Sequence, residues 1–296
     1  MHALAPDLGA LHRRVLDWYA GASRPLPWRE PGTTPYGVLL SEVMSQQTPV
    51  ARVAPIWREW LERWPTPAAL AAASPGDVVR AWGRLGYPRR ALRLHEAAIA
   101  MVQRHGGEVP STPEELRALP GVGDYTASAV ACFAYDAPVP VVDTNVRRVL
   151  VRLLDGEAQA APALTRHERD LALAALPVAD ADAVTWGVAA MELGALVCTA
   201  RTPRCEECPV EDLCAWRAAG SPPYAGPVKR TQRWEGTDRQ ARGALMAVLR
   251  EAPGPVPAER LALAWPQEAQ RDRCLHSLVV DGLVEPLDGD RYRLPA

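Results

Sequence analysis

Four cysteines fall within one short stretch, "CTARTPRCEECPVEDLC": Cys198, Cys205, Cys208 and Cys214, spaced C-x6-C-x2-C-x5-C. Thiols this close together suit a soft metal better than a disulfide framework, which needs an oxidising compartment. Four thiolates satisfy zinc, although the spacing is not the paired one of a zinc ribbon. They equally satisfy a cubane [4Fe–4S] cluster, so spacing alone leaves both metals open. Cys132 and Cys274 lie in apolar helical runs and are expected in the core.

Two carboxylates stand in unusual company. Glu42 sits in "SEVMSQQTPV" and Asp143 in "VPVVDTNVRRVL". Taken singly, Glu42 is an acid on a helix, and Asp143 is an N-cap for the helix through Val146, Val149 and Leu150. A third stretch, "LPGVGDYTASA", carries Gly121, Val122 and Gly123 ahead of a small-residue helix expected to start near Asp124. Such a turn presents backbone N–H groups at a helix start, an anion-binding concavity. A GxG by itself is weak and is usually only a turn.

The elements that must position these groups are mostly helices. Apolar residues recur at helical spacing through Leu8, Leu11, Val15, Trp18 and Tyr19, through Val50, Val53, Ala54, Trp57 and Leu61, and through Leu92, Ala97, Ile99 and Val102. Proline and glycine punctuate the gaps at Pro65, Pro67, Pro75-Gly76, Gly106-Gly107, Pro138 and Pro140. The stretch "AGSPPYAGPVKRTQRWEG" reads as a linker. Beyond it, Thr237 and Gln240 suggest a capping box, three short helices follow, and "LVEPLDGDRYRL" predicts a hairpin around Asp288-Gly289. That order is winged-helix-like.

The chain has 296 residues, 48% of them hydrophobic, a formal net charge of −2 and a pI near 6.3. The near-neutral balance argues weakly against nucleic acid. Two arginine groups, Arg84, Arg89, Arg90 and Arg93 and then Arg147, Arg148 and Arg152, are solvated helix faces or DNA-facing patches. Neither a signal peptide nor an apolar run of transmembrane length is evident, so a cytoplasmic, nucleoid-associated protein with no membrane contact is expected. Lys229 is the only lysine.

The cysteine spacing, downstream of a helix–hairpin–helix-like "LPGVGDYTASA", resembles the endonuclease III superfamily of DNA glycosylases. In order along the chain, "LPWRE", "SEVMSQQT", "RLGYPRR", "LPGVGDYTA", "VDTNVRRVL" and "MELGALVCT" closely resemble the MutY family of A/G-mismatch adenine DNA glycosylases, from about Leu26 to Cys214. The resemblance implies an all-α, two-lobed helix–hairpin–helix fold with an iron–sulfur loop, plus the C-terminal winged-helix-like α+β module. One lobe is expected over residues 31–135 and the other over 1–30 and 136–220. A linker over 221–237 and the module over 238–296 complete the chain. The implied cofactor is a [4Fe–4S] cluster on Cys198, Cys205, Cys208 and Cys214. The implied partner is double-stranded DNA bearing a mismatched adenine, bound by a monomer.

Residue by residue, the resemblance implies that Glu42 protonates adenine N7 and that Asp143, supported by Asn145, answers the cationic sugar across a shared cleft. Both kinds of help are needed to break an N-glycosidic bond. Arg24, Trp28, Arg29 and Glu192 would line or support the adenine pocket. Gln47 would fill the gap in the duplex or contact the opposite base, and Leu85 and Tyr87 would form a wedge on an exposed turn. Gly121, Val122 and Gly123 would hold a phosphate. Tyr125 stands where bifunctional members carry a Schiff-base lysine; Lys229 lies in the linker, and the Met1 amine is the remaining amine. A monofunctional glycosylase that leaves an abasic site is expected. The residues after Cys214 do not resemble the Nudix-like domain usual in the family. The competing readings are an endonuclease III-like enzyme for oxidised pyrimidines and a non-catalytic iron–sulfur DNA-binding protein.

Overall fold

The computed structural model describes residues 7–226 and 234–296. In chain order the helices are α1 (Leu8–Ala22), α2 (Pro35–Ser45), α3 (Val50–Arg63), α4 (Pro67–Ala71), α5 (Pro75–Trp82), α6 (Arg89–Arg104), α7 (Pro113–Arg117), α8 (Asp124–Tyr135), α9 (Thr144–Leu150), α10 (Arg166–Ala174), α11 (Asp180–Leu196) and α12 (Ala215–Ala218). The C-terminal segment adds α13 (Asp238–Glu251), β1 (Val256–Pro257), α14 (Ala258–Ala264), α15 (Glu268–Val280), β2 (Glu285–Leu287) and β3 (Arg291–Arg293). The body is all-α, and the module is α+β. None of the described helices is long and apolar enough to cross a membrane.

Contacts divide the described residues into two compact units: 7–38, 111–117 and 122–226 in one, and 39–110, 118–121 and 234–296 in the other. This differs from the sequence boundary at residue 135, and the reason is visible in α8. Its small residues Ala129 and Cys132 pack with Val141 into a core that also takes Tyr125, Phe133, Val184 and Met191. A Cβ on Gly187 of α11 would lie 3.3 Å from Cys132 Sγ, so the two helices approach closely at a residue without a side chain.

In the first unit, α1 and α9 pack on α11. Their shared core holds Leu11, Val15, Val149, Leu150, Trp186, Ala189, Ala190 and Leu193, together with Cys214. In the second unit, α4 and α5 pack on α6, and α5 also meets α13. Trp60 and Trp82, both fully buried, meet edge to face at 5.6 Å between ring centroids.

The C-terminal module has winged-helix connectivity, helix–strand–helix–helix–strand–strand, with sheet order β1-β3-β2 and both pairings antiparallel. The hairpin predicted around Asp288-Gly289 is β2–β3, in register Glu285 to Arg293. Strand β1 is two residues long and too short to leave an alternating pattern. The predicted capping box is half formed. Thr237 Oγ1 accepts from the Gln240 N–H at 3.3 Å, but Gln240 Oε1 accepts from the Gly236 N–H at 2.8 Å instead of the N-cap's own.

Candidate functional site

Asp143 is the N-cap of α9 and half-buried. Its Oδ1 accepts from the backbone N–H groups of Asn145 at 2.8 Å and Val146 at 2.6 Å, and its Oδ2 accepts from Asn145 Nδ2 at 2.7 Å. Burial pushes its carboxyl above the usual aspartate value, and the three hydrogen bonds and Arg148 oppose that only in part. Asn145 is held in turn by Arg148, whose Nη2 donates to Asn145 Oδ1 at 2.8 Å and to the Gly194 carbonyl at 2.6 Å. Gly194 has no room for a side chain: a Cβ there would stand 2.7 Å from Asn145 Cβ. This glycine in "MELGALVCT" therefore sets how close α11 comes to Asn145.

The arginine run of α9 faces inward. Arg147, Arg148 and Arg152 are all buried. Arg147 pairs with Glu168 at 2.7 Å and donates to the carbonyls of Ala161 and Ala163. Arg148 Nε donates to the Cys198 carbonyl at 2.7 Å. A π-helical turn, Val151–Asp155, follows α9 directly and carries Arg152. Arg152 donates to Cys198 Sγ at 3.3 Å and to the Thr199 carbonyl at 2.8 Å, with its guanidinium over the Trp216 ring. The sequence reading of this group as a solvated or DNA-facing patch is corrected. Arg148 and Arg152 meet the cysteine loop, and Arg147 is buried against Glu168 and the 161–163 segment.

That loop holds Cys198, Cys205, Cys208 and Cys214 around one cavity, walled by Val149, Leu153, Leu193 and Trp216. All four are free thiols. Burial pushes Cys208 up to about 12, and it also raises Cys205 and Cys214. The backbone N–H groups of Val210 beside Cys208, and of Trp216 and Arg217 beside Cys214, oppose that rise. Four clustered sulfurs, one buried and three half-buried, fit an iron–sulfur cluster, whose positive iron would hold them as thiolates. Among the described residues, no three His, Cys, Asp or Glu side chains are placed to hold a single metal ion.

Glu192 of α11 is fully buried. Arg24 grips it with Nε to Oε2 at 2.8 Å and Nη2 to Oε1 at 2.6 Å, and Arg29 Nη2 reaches Oε1 at 3.0 Å. Burial alone would raise the Glu192 carboxyl, but the two guanidiniums hold it below the usual value. The Arg29 Nη1 atom is buried and has no hydrogen-bond partner among the described residues. Trp28, between the two arginines in sequence, is half-buried in the 3₁₀ turn Pro27–Arg29. Tyr125, in the first turn of α8, packs against the core of Ala129, Cys132 and Val141. Lys229 and Met1 lie outside the described residues.

The second unit carries the remaining candidates. Glu42 is buried on α2. Gln47 and Tyr87 are exposed on two turns, and each adopts a left-handed backbone, φ 54° and φ 48°. Such residues are strained unless neighbours over-determine them. Arg90 is the neighbour: its Nη1 donates to the carbonyls of Val43 (2.8 Å) and Gln46 (2.7 Å), and its Nη2 to the Gly86 carbonyl (3.0 Å) and Thr48 Oγ1 (3.2 Å). Thr48 Oγ1 donates to the Leu85 carbonyl at 3.0 Å, and Trp82 Nε1 to that of Gly86 at 2.9 Å. The expectation that Leu85 is exposed is corrected. It is buried, and only Tyr87 projects from this turn. Of the hairpin residues, only Gly121 has a positive φ, 77°, and a Cβ on it would lie 2.6 Å from Arg93 Cβ. Val122 is buried, and Gly123 is an extended N-cap with open space beside it and no side-chain cap on α8.

These features match known proteins. Residues 40–172 match the model for the HhH-GPD superfamily of base excision DNA repair proteins, and residues 198–214 match the iron–sulfur binding domain of endonuclease III. The chain is 56% identical over 283 residues to an adenine DNA glycosylase of Mycobacterium tuberculosis, covering 95% of this chain and 92% of that one.

The chain belongs to the adenine DNA glycosylase family.

The family member from Mycolicibacterium smegmatis is 55% identical over 282 residues, covering 95% of this chain and 94% of that one. A solved structure of a thermostable thymine-DNA glycosylase shares the fold at TM-score 0.63 and 24% identity, over 72% of this chain and 97% of that one. The cofactor of this adenine DNA glycosylase family member is an iron–sulfur cluster, and the polymer bound is DNA. Arg90, Arg148, Arg152 and Gly194 contact the candidate groups in ways that composition and spacing missed. Their signal is a contact, and only their motif context hinted at it.

Proposed function

We propose that this enzyme removes adenine mispaired with 8-oxoguanine or guanine in double-stranded DNA, acting as a monomer and leaving an abasic site. The observation that carries the reading is Asp143, a carboxylate held by three hydrogen bonds where burial limits screening by water. A fixed anion in such a place stabilises a cationic sugar far better than one in water.

Glu42 gives its proton to adenine N7. The C1′–N9 bond then breaks, and its electron pair leaves with a neutral base. Asp143 answers the positive charge left on the sugar, water adds to C1′, and the proton that water loses restores the acid. Asn145 and Arg148 act through Asp143 as positioning residues. Glu192 holds Arg24 and Arg29 in place, and the unpartnered Arg29 Nη1 is a donor suited to the acceptor nitrogens of a purine. Gly121, Val122 and Gly123 hold a phosphate and Gln47 and Tyr87 stand at the opposite base, with Leu85 packed beneath Tyr87. When bound, the [4Fe–4S] cluster on the four cysteines fixes the loop whose carbonyls Arg148 and Arg152 hold. Tyr125 offers a phenol where a strand-cutting member would need an amine, so the product is an abasic site on an intact strand.

The test is single-turnover excision of adenine opposite 8-oxoguanine, guanine, cytosine and thymine, with a thymine glycol duplex alongside. Fast release opposite 8-oxoguanine and guanine, with nicks appearing only after hot alkali, is the expected result. Equal rates in all four contexts sink the mismatch assignment, and release of thymine glycol in its place favours an oxidised-pyrimidine enzyme. Glu42→Gln is expected to bind the duplex and release no base.

A further inference from the structure

The C-terminal winged-helix module places a cation against the Tyr87 turn. Tyr87 is exposed at 47% and projects from its loop with φ 48°. The guanidinium carbon of Arg239, in the first turn of α13, lies 5.3 Å from the Tyr87 ring and 5.4 Å from the ring of Trp234, itself 52% exposed. Arg90 approaches the Tyr87 ring at 5.7 Å. A guanidinium held against aromatic faces keeps its in-plane N–H donors available.

The rest of the module is poorly suited to DNA. Between Asp238 and Ala296 it carries eight arginines against nine carboxylates. Arg242 pairs with Asp281, Arg271 with Asp272, Arg273 with Asp238 and Arg293 with Glu285. Helix α15, third in a winged helix, opens on Glu268 and Asp272, and the turn between β2 and β3 bears Asp288 and Asp290. Among the described residues no carboxylate pairs with Arg239. Arg250, Arg260 and Arg291 likewise make no carboxylate pair among the described residues, but Arg239 is the one of these arginines that sits on the Tyr87 ring, which faces the duplex in the proposed function.

We propose that Arg239 is a specificity-determining residue that donates hydrogen bonds to the acceptor edge of the purine opposite the extruded adenine, with Tyr87 and Trp234 orienting it. The proposal rests on the assignment of Tyr87 to the opposite base. On the major-groove edge a planar, two-pronged donor matches the O6 and N7 acceptors of guanine; 8-oxoguanine, whose N7 carries a hydrogen, offers O6 and O8 there, and the same edge of a pyrimidine offers no such pair.

Arg239→Leu in the full chain keeps apolar contact with the rings and removes the donors. Excision opposite 8-oxoguanine and guanine should fall at least about fivefold relative to excision opposite cytosine or an abasic analogue, where the rate stays as in the parent. Binding to duplexes with a stable abasic analogue opposite the same bases should lose the same preference, and this readout does not need catalysis. A uniform loss in every context with a shallower salt dependence would assign Arg239 to a phosphate and overturn the proposal. Unchanged ratios with a lowered melting temperature would make it a docking contact only, with the same consequence. If the parent releases adenine in no context, the functional reading fails, and the binding series still decides the role of Arg239.

Discussion

A carboxylate that must answer a cation works best where water does not screen it, and Asp143 bears the cost of that placement. Its burial raises the folded-state pKa above the unfolded one. The charged form is therefore disfavoured by folding, and at a pH above both values the charge subtracts stability. That penalty disappears as pH falls through the raised value. Asp143→Asn keeps an oxygen for the Asn145 and Val146 N–H groups, since asparagine is as good an N-cap. The variant should melt at or above the parent temperature while excision drops by about 10²-fold or more. A thermal melt beside single-turnover kinetics reads both, and a variant that melts lower yet keeps its rate contradicts the assignment. In the parent, the acid limb of the excision profile should set in at a higher pH than an ordinary aspartate would give. The N-cap role of Asp143 was legible in sequence, because "VDTNV" places a short acceptor ahead of a helix. Its burial was not, because that depends on Arg148 and Gly194, one reached through a packed face and the other through an absent side chain.

At the scale of elements, two turns at the ends of α2 and α5 carry Gln47 and Tyr87, and one arginine from the start of α6 ties them together. Each left-handed residue costs about 1 kcal/mol or more unless its neighbours enforce it. Arg90 does so with donors to both turns and with its guanidinium 5.1 Å from the Trp82 ring. A lysine is a point donor on a flexible stem and cannot span the same carbonyls. Arg90→Lys should therefore cost about 2 kcal/mol in urea unfolding and alter tryptophan fluorescence through Trp82. An unchanged denaturation midpoint would show that the turns hold their shape without it. The sequence revealed the turns through Gly83, Gly86 and Pro88, and the long helices α1, α3 and α6 through their periodicity. It could not separate Arg90, which is half-buried between the turns, from Arg89, which pairs with Asp281, or Arg93, which pairs with Glu96. All belong to one run of helical spacing. The same limit made the arginines of α9 look like a surface patch.

At the scale of the molecule, the module is more than a tethered appendage, because it shares a compact unit with residues 39–110. Arg80 Nε donates to the Arg250 carbonyl at 3.1 Å, and Arg89 pairs with Asp281 at 3.2 Å. Gly76 lies so close to the chain end that an added Cβ would overlap the Pro295 carbonyl and stand 3.2 Å from Leu294 Cβ. Gly76 is helical, within the first turn of α5, so a side chain there suits the backbone and disturbs only this packing. Gly76→Val thus isolates the docking of the module. If the module and α5 fold as one cooperative unit, the whole unfolding transition should shift to lower temperature and stay single, by several degrees for about 1–3 kcal/mol of overpacking. Calorimetry distinguishes this from a loose module, which would melt as a separate early transition and leave the main one in place. The experiment also bears on Arg239. Displacing the module should carry that arginine away from Tyr87, so Gly76→Val is expected to weaken opposite-base discrimination in the same direction as Arg239→Leu, with Glu42 and Asp143 untouched.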